Sequence, residues 1–422
     1  MQRLIYSLAF SSLLGMVGLV TAQPNESAPP LDLDSAIVKT LAGNPGLKAT
    51  GYQLQIQDAR IAQAGIKPRP KLELEVEDVF GSGANDILEG IQTTASVVWI
   101  LERGVRESRV SAARARSSLI ESDIAIQRLD VSAETARYYL ESLDLQARLD
   151  ISAEGIELGA AAVTAIERRV NAGSAPAADL FRARADLRRQ ELIEEDIEHE
   201  LLSANYRLAA QWGANEPDFN RVLGDLLDTP AIENFATFES RLDQNPDLER
   251  YLTAERVYEA QLRLEQASNR QPWSVTTGFR WQNKTSDHGF VAGLSIPLGS
   301  EDSNRGRVAE ARARITQSKL EREAERLRLR TELFVLYQEL VHSAHLTAAI
   351  EQDILPLYES ALEQTQAAYE AGRYSYLEWS ASQMNLLNAR NDLVEAAHSI
   401  LHNLIEIERL TGVSVEVPRL SQ

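Results

Sequence analysis

Two pairs of histidines have the spacing of metal ligands on neighbouring helices. His342 and His345 lie 30 and 27 residues before Gly372, and His398 and His402 lie 26 and 30 residues after it. If the chain turns back at Gly372, all four imidazoles lie at one level, where they are candidates for binding Zn²⁺ or Cu²⁺. Surface histidines on long helices explain the same spacing. The sequence therefore predicts no resident metal and leaves these four residues as candidates.

The sequence gives no support for an enzyme. It contains no phosphate-binding loop, no HExxH pair and no Gly-x-Ser-x-Gly elbow. Without cysteine it forms no disulfide and no cysteine-based metal or redox site. A net charge of −19 opposes binding to nucleic acid. We expect a non-catalytic protein without a cofactor.

Four short segments alternate apolar and polar residues with the period of a β-strand. In the first, Leu72, Leu74 and Val76 alternate with Glu73, Glu75 and Glu77. The segments form two predicted strand hairpins, at residues 70–101 and 272–298. Each strand is about 9–10 residues long, which a tilted strand needs to cross a bilayer. Half-buried hairpins on a soluble core are the alternative interpretation.

Four strands are too few to close a membrane barrel, and lipid does not tolerate an open strand edge. We therefore expect the chain to combine its strands with those of identical copies, which gives eight strands from two chains or twelve from three. Glu73, Glu75 and Glu77 would then line the lumen. Three copies would supply about nine carboxylates, and acidic rings favour cations in pores.

Long helices account for most of the remaining chain. Residues 104–170 contain no proline and predict one helix of about 100 Å. The chain turns at residues 171–176, and a return helix reaches Trp212. The shorter predicted helices, 31–64 and 176–212, together match the long one in length. They therefore predict two short helices stacked end to end beside each long helix.

The same unit occurs twice. Arg109–Arg116 resembles Arg307–Arg314, and the Ala-Gly turn at 172–173 returns at 371–372. We predict tandem repeats at 31–212 and 239–411, joined by an equatorial segment at 213–238 and followed by an equatorial tail at 412–422. The N-terminus predicts a signal peptide at residues 1–22 and a Pro-rich tether at 23–30.

This order of elements resembles the outer-membrane efflux factor (TolC-like) family over nearly the whole mature chain. The motifs that carry the resemblance are Asn44-Pro45-x-Leu47, Ala64-Gly65-x-x-Pro68-x-Pro70-x-Leu72, Glu75-Val76-Glu77-Asp78 and Leu101-Glu102-Arg103-Gly104, with the two Ala-Gly turns. The N-terminal motifs are most similar to the heavy-metal cation-efflux (CzcC-like) branch.

The resemblance implies a mainly α-helical protein with a small membrane β part. Three chains would form a twelve-stranded outer-membrane β-barrel continuous with a periplasmic α-barrel of long helical hairpins. Such a channel is a passive exit duct that works with a periplasmic adaptor and an inner-membrane RND-type pump. The branch implies divalent heavy-metal cations as cargo. A multidrug or general export channel and a periplasmic coiled-coil scaffold are the alternatives.

The resemblance also assigns roles at the two turns, which would be the periplasmic tips. Its gate positions fall on Asp179 and Tyr369, its acidic constriction on Glu378, and its gate arginine on Tyr374, with Arg373 one place earlier. The adaptor would dock at Ala172, Gly173 and Ser174 and at Ala371 and Gly372. Gly155, Gly159 and Pro356 lie 14 to 18 residues before these turns and predict helix bends there.

Overall fold

The computed structural model describes residues 28–80, 90–298 and 304–412. The predicted signal peptide, most of the tether and all but Gly412 of the predicted tail lie outside these residues. The described helices are α1 Leu33–Gly43, α2 Pro45–Ala64, α3 Val105–Asn171, α4 Ala177–Ala210, α5 Phe235–Arg241, α6 Pro246–Ser268, α7 Arg305–Ala349, α8 Leu355–Glu370 and α9 Tyr376–Thr411. The strands are β1 Lys71–Glu77, β2 Gln92–Leu101, β3 Trp273–Gln282 and β4 Asp287–Ser295.

The four strands form one antiparallel sheet in the order β1-β2-β3-β4. Strands β2 and β3 pair along their whole length, from Gln92 opposite Gln282 to Leu101 opposite Trp273, and so join the two repeats. The predicted fold class is confirmed. The last strand begins at Asp287, directly after the hairpin turn at residues 283–286.

The long helix α3 is the axis on which the rest of the chain packs. It contacts α1, α2, α4, α6 and α9, while α7 packs on α6 and α9. One apolar cluster joins α1, α3, α4 and α9 to the segment around Val222, which forms a parallel bridge with Leu31. The hydroxyl of buried Tyr139 on α3 donates to the carbonyl oxygens of Leu31 and Leu223. These contacts bind residues 213–238 to the middle of the rod.

The short helices stack end to end, and one asparagine makes each join. The Asn44 side chain accepts from the Leu47 amide at the start of α2 and donates to the Gln211 carbonyl oxygen at the end of α4, at 3.0 and 2.8 Å. Asn245 does the same for α6 and α9: it accepts from the Asp247 amide and donates to the Leu410 carbonyl oxygen, both at 2.5 Å. The repeat of this device supports the tandem organisation predicted from the sequence.

Glycines make the close approach at these joins possible. Gly213 and Gly412 follow α4 and α9 with φ of +79° and +70°, a region that side chains with a Cβ rarely adopt. A Cβ at Gly412 would lie 2.7 Å from Cδ of Pro246, the first residue of α6. An Asn-Pro start and a glycine end therefore meet at both joins.

Within the described ranges, none of the helices is long and apolar enough to span a membrane.

We predict that Asn245→Ala destabilises the fold more than Asn44→Ala does. Loss of an N-cap costs about 1 kcal/mol. At Asn245, which is fully buried, the change also leaves the Leu410 carbonyl oxygen unsatisfied, for a total of about 2–3 kcal/mol. Urea unfolding followed by helical circular dichroism measures both. The exposed Asn220→Ala is the matched control and should change the unfolding free energy by less than about 0.5 kcal/mol. Equal effects in all three variants would contradict the prediction.

Candidate functional site

The sheet has one apolar and one polar face, and all four strands contribute to both. Directly paired residues lie on the same face, so Leu74, Ala95, Phe279 and Phe290 form one row across the sheet. Phe279 is 71% exposed and meets Phe290 edge to face at 5.8 Å. A large apolar face that is exposed on a single chain indicates a surface that contacts a membrane or another protein.

The polar face carries the three predicted lumen carboxylates. Glu73, Glu75 and Glu77 lie side by side along β1. An arginine that the sequence analysis did not assign, Arg280 on β3, lies 3.3 Å from Glu77 and donates to the Thr94 hydroxyl at 3.0 Å. Among the described residues, Glu73 and Glu75 form no ion pair. Glu73 and Glu75 are therefore the unpaired carboxylates of β1 on this face, which they share with Lys71.

Tryptophans mark both ends of the apolar face. Trp99 and Trp273 lie at the helical end of the sheet, and Trp281 lies at the hairpin end. Trp273 and Trp281 are separated by eight residues, which is about 26 Å along a strand. This separation matches the apolar band of about 25 Å on outer-membrane barrels. The Arg103 guanidinium lies 4.6 Å from the centre of the Trp273 ring.

The two helix turns at the other end of the rod have the same geometry. Gly173 and Gly372 both adopt φ of +72°. In each turn the glycine amide and the next amide donate to carbonyl oxygens of the preceding helix, at 2.8–2.9 Å. Ala172 and Ser174 in the first turn, and Ala371 in the second, are exposed. The predicted docking residues therefore form two exposed helix turns with matching backbone geometry.

Arg169, just before the first turn, ties the two turns together. Its guanidinium donates to the carbonyl oxygens of Tyr369 and Glu370, the latter at 2.9 Å, and to that of Ser174 at 3.4 Å. It also lies 4.8 Å from the centre of the Tyr369 ring. A cation is favourable at the C-terminus of a helix such as α8. The sequence analysis missed this residue, although an arginine in the last turn of α3 is a recognisable cap signal.

Tyr369 is packed inside the tip rather than exposed at it. Its side chain is 3% exposed and lies 5.1 Å from the ring of Trp379, which is 2% exposed. Burial raises the pKa of Tyr369, Arg169 opposes this shift, and Asp179 adds to it. Within the described residues, the Tyr369 hydroxyl and the Trp379 indole nitrogen have no hydrogen-bond partner.

Asp179 lies in the first turn of α4, close to two tyrosines of the other hairpin. Tyr376 donates a hydrogen bond to Asp186 at 3.0 Å, and its pKa is raised by burial and then by the charges of Asp186 and Asp179. Asp179 itself lies 4.0 Å from Arg182, and within the described chain the arginine beside Tyr369 is Arg169. A gate network of Asp179, Tyr369 and Arg373 between copies of the chain stays a prediction.

The other predicted tip residues lie on the surface of the second turn. Arg373 and Tyr374 are exposed, and the Arg373 side chain forms no ion pair within the described residues. Glu378 completes a capping box with Ser375, from whose amide it accepts at 2.7 Å. The hydrogen bond from the Ser375 amide lowers the pKa of Glu378. A role for these residues between copies of the chain stays a prediction.

The four histidines are not gathered into one site. His398 and His402 stack at 6.0 Å on the half-buried side of α9, facing Asp144 and Arg148 of α3. His342 and His345 are exposed on α7. In the described parts of the chain, no three His, Cys, Asp or Glu side chains converge as a metal site. The hairpin does place the pairs at one level, but on different faces of their helices.

The two stretches with predicted bends differ in helix type. A π-helical stretch at Ile350–Ile354 interrupts the helix ahead of Pro356, as expected where proline removes a backbone donor. In contrast, α3 continues as an α-helix through Gly155 and Gly159. A Cβ there would lie 3.1 Å from Leu387 and 3.2 Å from Leu187 respectively, so these glycines allow helices to pack closely.

Comparison with known proteins gives consistent matches. The pattern of the outer membrane efflux protein family matches residues 36–214 and 238–413. The chain is 25% identical to the cobalt-zinc-cadmium resistance protein CzcC of Cupriavidus metallidurans over 93% of both chains. It is 24% identical to the nickel and cobalt resistance protein CnrC of the same organism, over 70% of this chain and 71% of that protein.

Solved structures share the fold at lower identity. A CusC crystal structure superposes with a TM-score of 0.71 at 19% identity, covering 90% of this chain and 92% of that one. The outer membrane protein VceC of Vibrio cholerae gives 0.69 at 18% identity, covering 90% and 96%.

We predict that His398 makes the fold less stable in mild acid. Burial lowers the pKa of His398 below its usual 6.5, and His402 and Arg148 oppose its protonation while Asp144 and Glu395 favour it. The unfolded chain therefore binds more protons below the usual pKa, and stability falls as pH decreases through this window. His398→Gln should reduce the loss in melting temperature between about pH 7.5 and 5.5 by roughly 2 °C.

The matched control is His342→Gln, which removes an exposed histidine of α7. This variant should keep the wild-type dependence of the melting temperature on pH. The same flattening in both variants would contradict the assignment to His398.

Proposed function

Since this chain belongs to the outer membrane efflux protein family, we propose that it is the outer-membrane exit duct of a tripartite efflux system for divalent heavy-metal cations. The observation that carries the proposal is the two-faced sheet at one end of a long helical rod. One face is apolar and bounded by tryptophans, and the other carries acidic side chains. A transmembrane pore requires this combination of surfaces.

A homotrimer with a twelve-stranded barrel accounts for the open sheet. In the order of the described strands, β1 and β4 are edges without a partner inside the chain. Backbone groups at such edges must be paired in lipid. Three chains, with β4 of each paired to β1 of the next, would supply twelve strands. Their long helices would then form a periplasmic tunnel that continues the barrel.

The energy for transport would come from other proteins. The sequence has no nucleotide-binding or catalytic motif. We therefore assign the driving force to an inner-membrane RND-type pump, coupled through a periplasmic adaptor. The adaptor would dock on the exposed turns at Ala172–Ser174 and Ala371–Gly372, whose matching geometry offers it two similar grooves per chain.

Two observations favour metal cations as cargo. The relatives CzcC and CnrC are named as metal resistance proteins. In addition, Glu73 and Glu75 form no ion pair among the described residues, so three copies would place six unpaired carboxylates around the lumen. Acidic rings in a pore favour cations.

We predict that deletion of this protein sensitises cells to Zn²⁺, Co²⁺ or Cd²⁺ more than to bulky dyes. In planar bilayers, Glu73→Gln with Glu75→Gln should lower the preference for cations, measured as the reversal potential across a salt gradient. The matched control is Glu77→Gln with Arg280→Gln, which removes a paired charge of each sign and should leave the reversal potential unchanged.

Three results would contradict the proposal in different ways. Unaltered metal tolerance with increased dye sensitivity would favour a multidrug or general export channel. A soluble periplasmic protein would favour the coiled-coil scaffold. Equal shifts in both double variants would remove the role of Glu73 and Glu75.

The tip is the proposed gate. Arg169 links the first hairpin to the end of α8, and Tyr369, Trp379 and Tyr376 pack the second hairpin against α3 and α4. A gate must hold these hairpins together at rest and release them when the adaptor binds. Asp179 and Tyr369 would contribute from within the chain, with Arg373, Tyr374 and Glu378 facing neighbouring copies.

We predict that Arg169→Gln increases the resting conductance of the reconstituted channel several-fold. The change removes a helix-terminal cation and its contact with the Tyr369 ring, which together contribute about 1–3 kcal/mol. The adjacent Arg168→Gln is the matched control, because Arg168 hydrogen-bonds only within its own helix among the described residues. Equal single-channel conductance for Arg169→Gln and wild type would refute the role of Arg169.

A further inference from the structure

The connections between helices and strands carry an excess of exposed cations. Lys67 and Arg69 lie between α2 and β1, Arg103 between β2 and α3, and Arg270 between α6 and β3, while Arg305 begins α7 after β4. All five side chains are exposed. We call these five residues the basic collar. They gather at one level of a chain whose net charge is −19.

The carboxylates of this level are already paired with other arginines. Glu102 binds Arg109 at 3.2 Å, Glu107 binds Arg106 at 3.0 Å, and Glu265 binds Arg307 at 3.2 Å. No member of the collar forms a salt bridge with a described carboxylate. Glu301 and Asp302 lie outside the described residues, and full pairing with both would still leave three cations in excess.

Arg109 shows what a structural arginine does at this level. Its guanidinium donates to the Ala64 and Ile66 carbonyl oxygens at 2.8 and 3.3 Å, closing the end of α2 against α3. Among the described residues, the collar side chains make no comparable set of bonds. Their charges are therefore available to a ligand outside the chain.

The position of the collar identifies that ligand. Arg103 stacks on Trp273, which bounds the apolar face of the sheet at its helical end. Tryptophans at such a boundary lie at the level of lipid headgroups. The hairpin end of the sheet carries both signs of charge, with Asp78 and Asp287 close to the ends of β1 and β4 and Lys284 in the turn between β3 and β4.

We propose that the basic collar binds the headgroups of anionic phospholipids in the leaflet on the helical side of the membrane. This inference rests on the proposed membrane insertion of the sheet. Each lysine or arginine near a membrane surface favours anionic lipid by roughly fivefold in affinity. Three copies would place fifteen collar cations around the barrel, which would fix its depth and its orientation.

The test measures how much lipid the channel retains when three positive charges are removed from the collar or, as a control, from the helices. The purified full-length channel is incubated with phosphatidylglycerol or phosphatidylcholine of the same acyl chains, and bound lipid is counted by native mass spectrometry. We expect the preference for phosphatidylglycerol to fall at least about tenfold in the triple variant that combines Lys67→Gln, Arg69→Gln and Arg270→Gln. Lys67→Arg with Arg69→Lys and Arg270→Lys should retain it, because the charge is kept.

The matched control neutralises three exposed cations on the helices, Lys48→Gln with Arg128→Gln and Arg256→Gln, and should keep the wild-type preference. An unchanged preference in the collar variant, or an equal loss in the control, would overturn the proposal. Displacement of the lipid by millimolar inorganic phosphate would also overturn it, in favour of a soluble anion. A chain that fails to insert into vesicles at all would instead contradict the proposed function.

Discussion

The joins made by Asn44 and Asn245 are the constraint on which the rest of the structure depends. A helix that ends inside a rod leaves amide and carbonyl groups without partners. Each asparagine caps the start of one helix and also binds the end of another. Two short helices thereby act as one rod beside α3 or α7. Without these joins, neither long helix would have a partner over its full length.

The rod separates two chemically different ends. At one end the sheet presents an exposed apolar face, a polar face with Glu73 and Glu75, and a boundary of tryptophan and arginine. At the other end the two turns are held by Arg169 and by an aromatic cluster around Trp379. The proposed channel requires this division, because the part that would meet lipid must be fixed while the proposed gate must be able to change.

The tip is held together at an energetic cost. Tyr369 and Trp379 each bury a polar atom that has no partner within the described chain. A buried unsatisfied donor costs about 1–3 kcal/mol. Arg169 and the aromatic packing offset that cost. Such a balance would suit the proposed gate, whose closed form would have to yield to the binding of an adaptor.

The sequence by itself determined the elements and their order. Strict alternation in β1, the proline-free run of α3 and the Ala-Gly turns are local signals, because strand faces, helix continuity and helix ends depend on neighbouring residues. The matching lengths of the short and long helices also predicted the end-to-end stacking. These signals were sufficient to identify the family through its motifs.

Only the tertiary structure decided which distant side chains meet. Arg280 neutralises Glu77 because β2 and β3 pair in one register, which links residues about two hundred positions apart. Arg169 contacts Tyr369 because two separate hairpins end at the same level. The histidines are close in level but lie on different helix faces, since rotation about a helix axis depends on packing rather than on spacing alone. Contacts between the two repeats depend on how their helices and strands pack. The pattern of residues along the sequence does not show that packing.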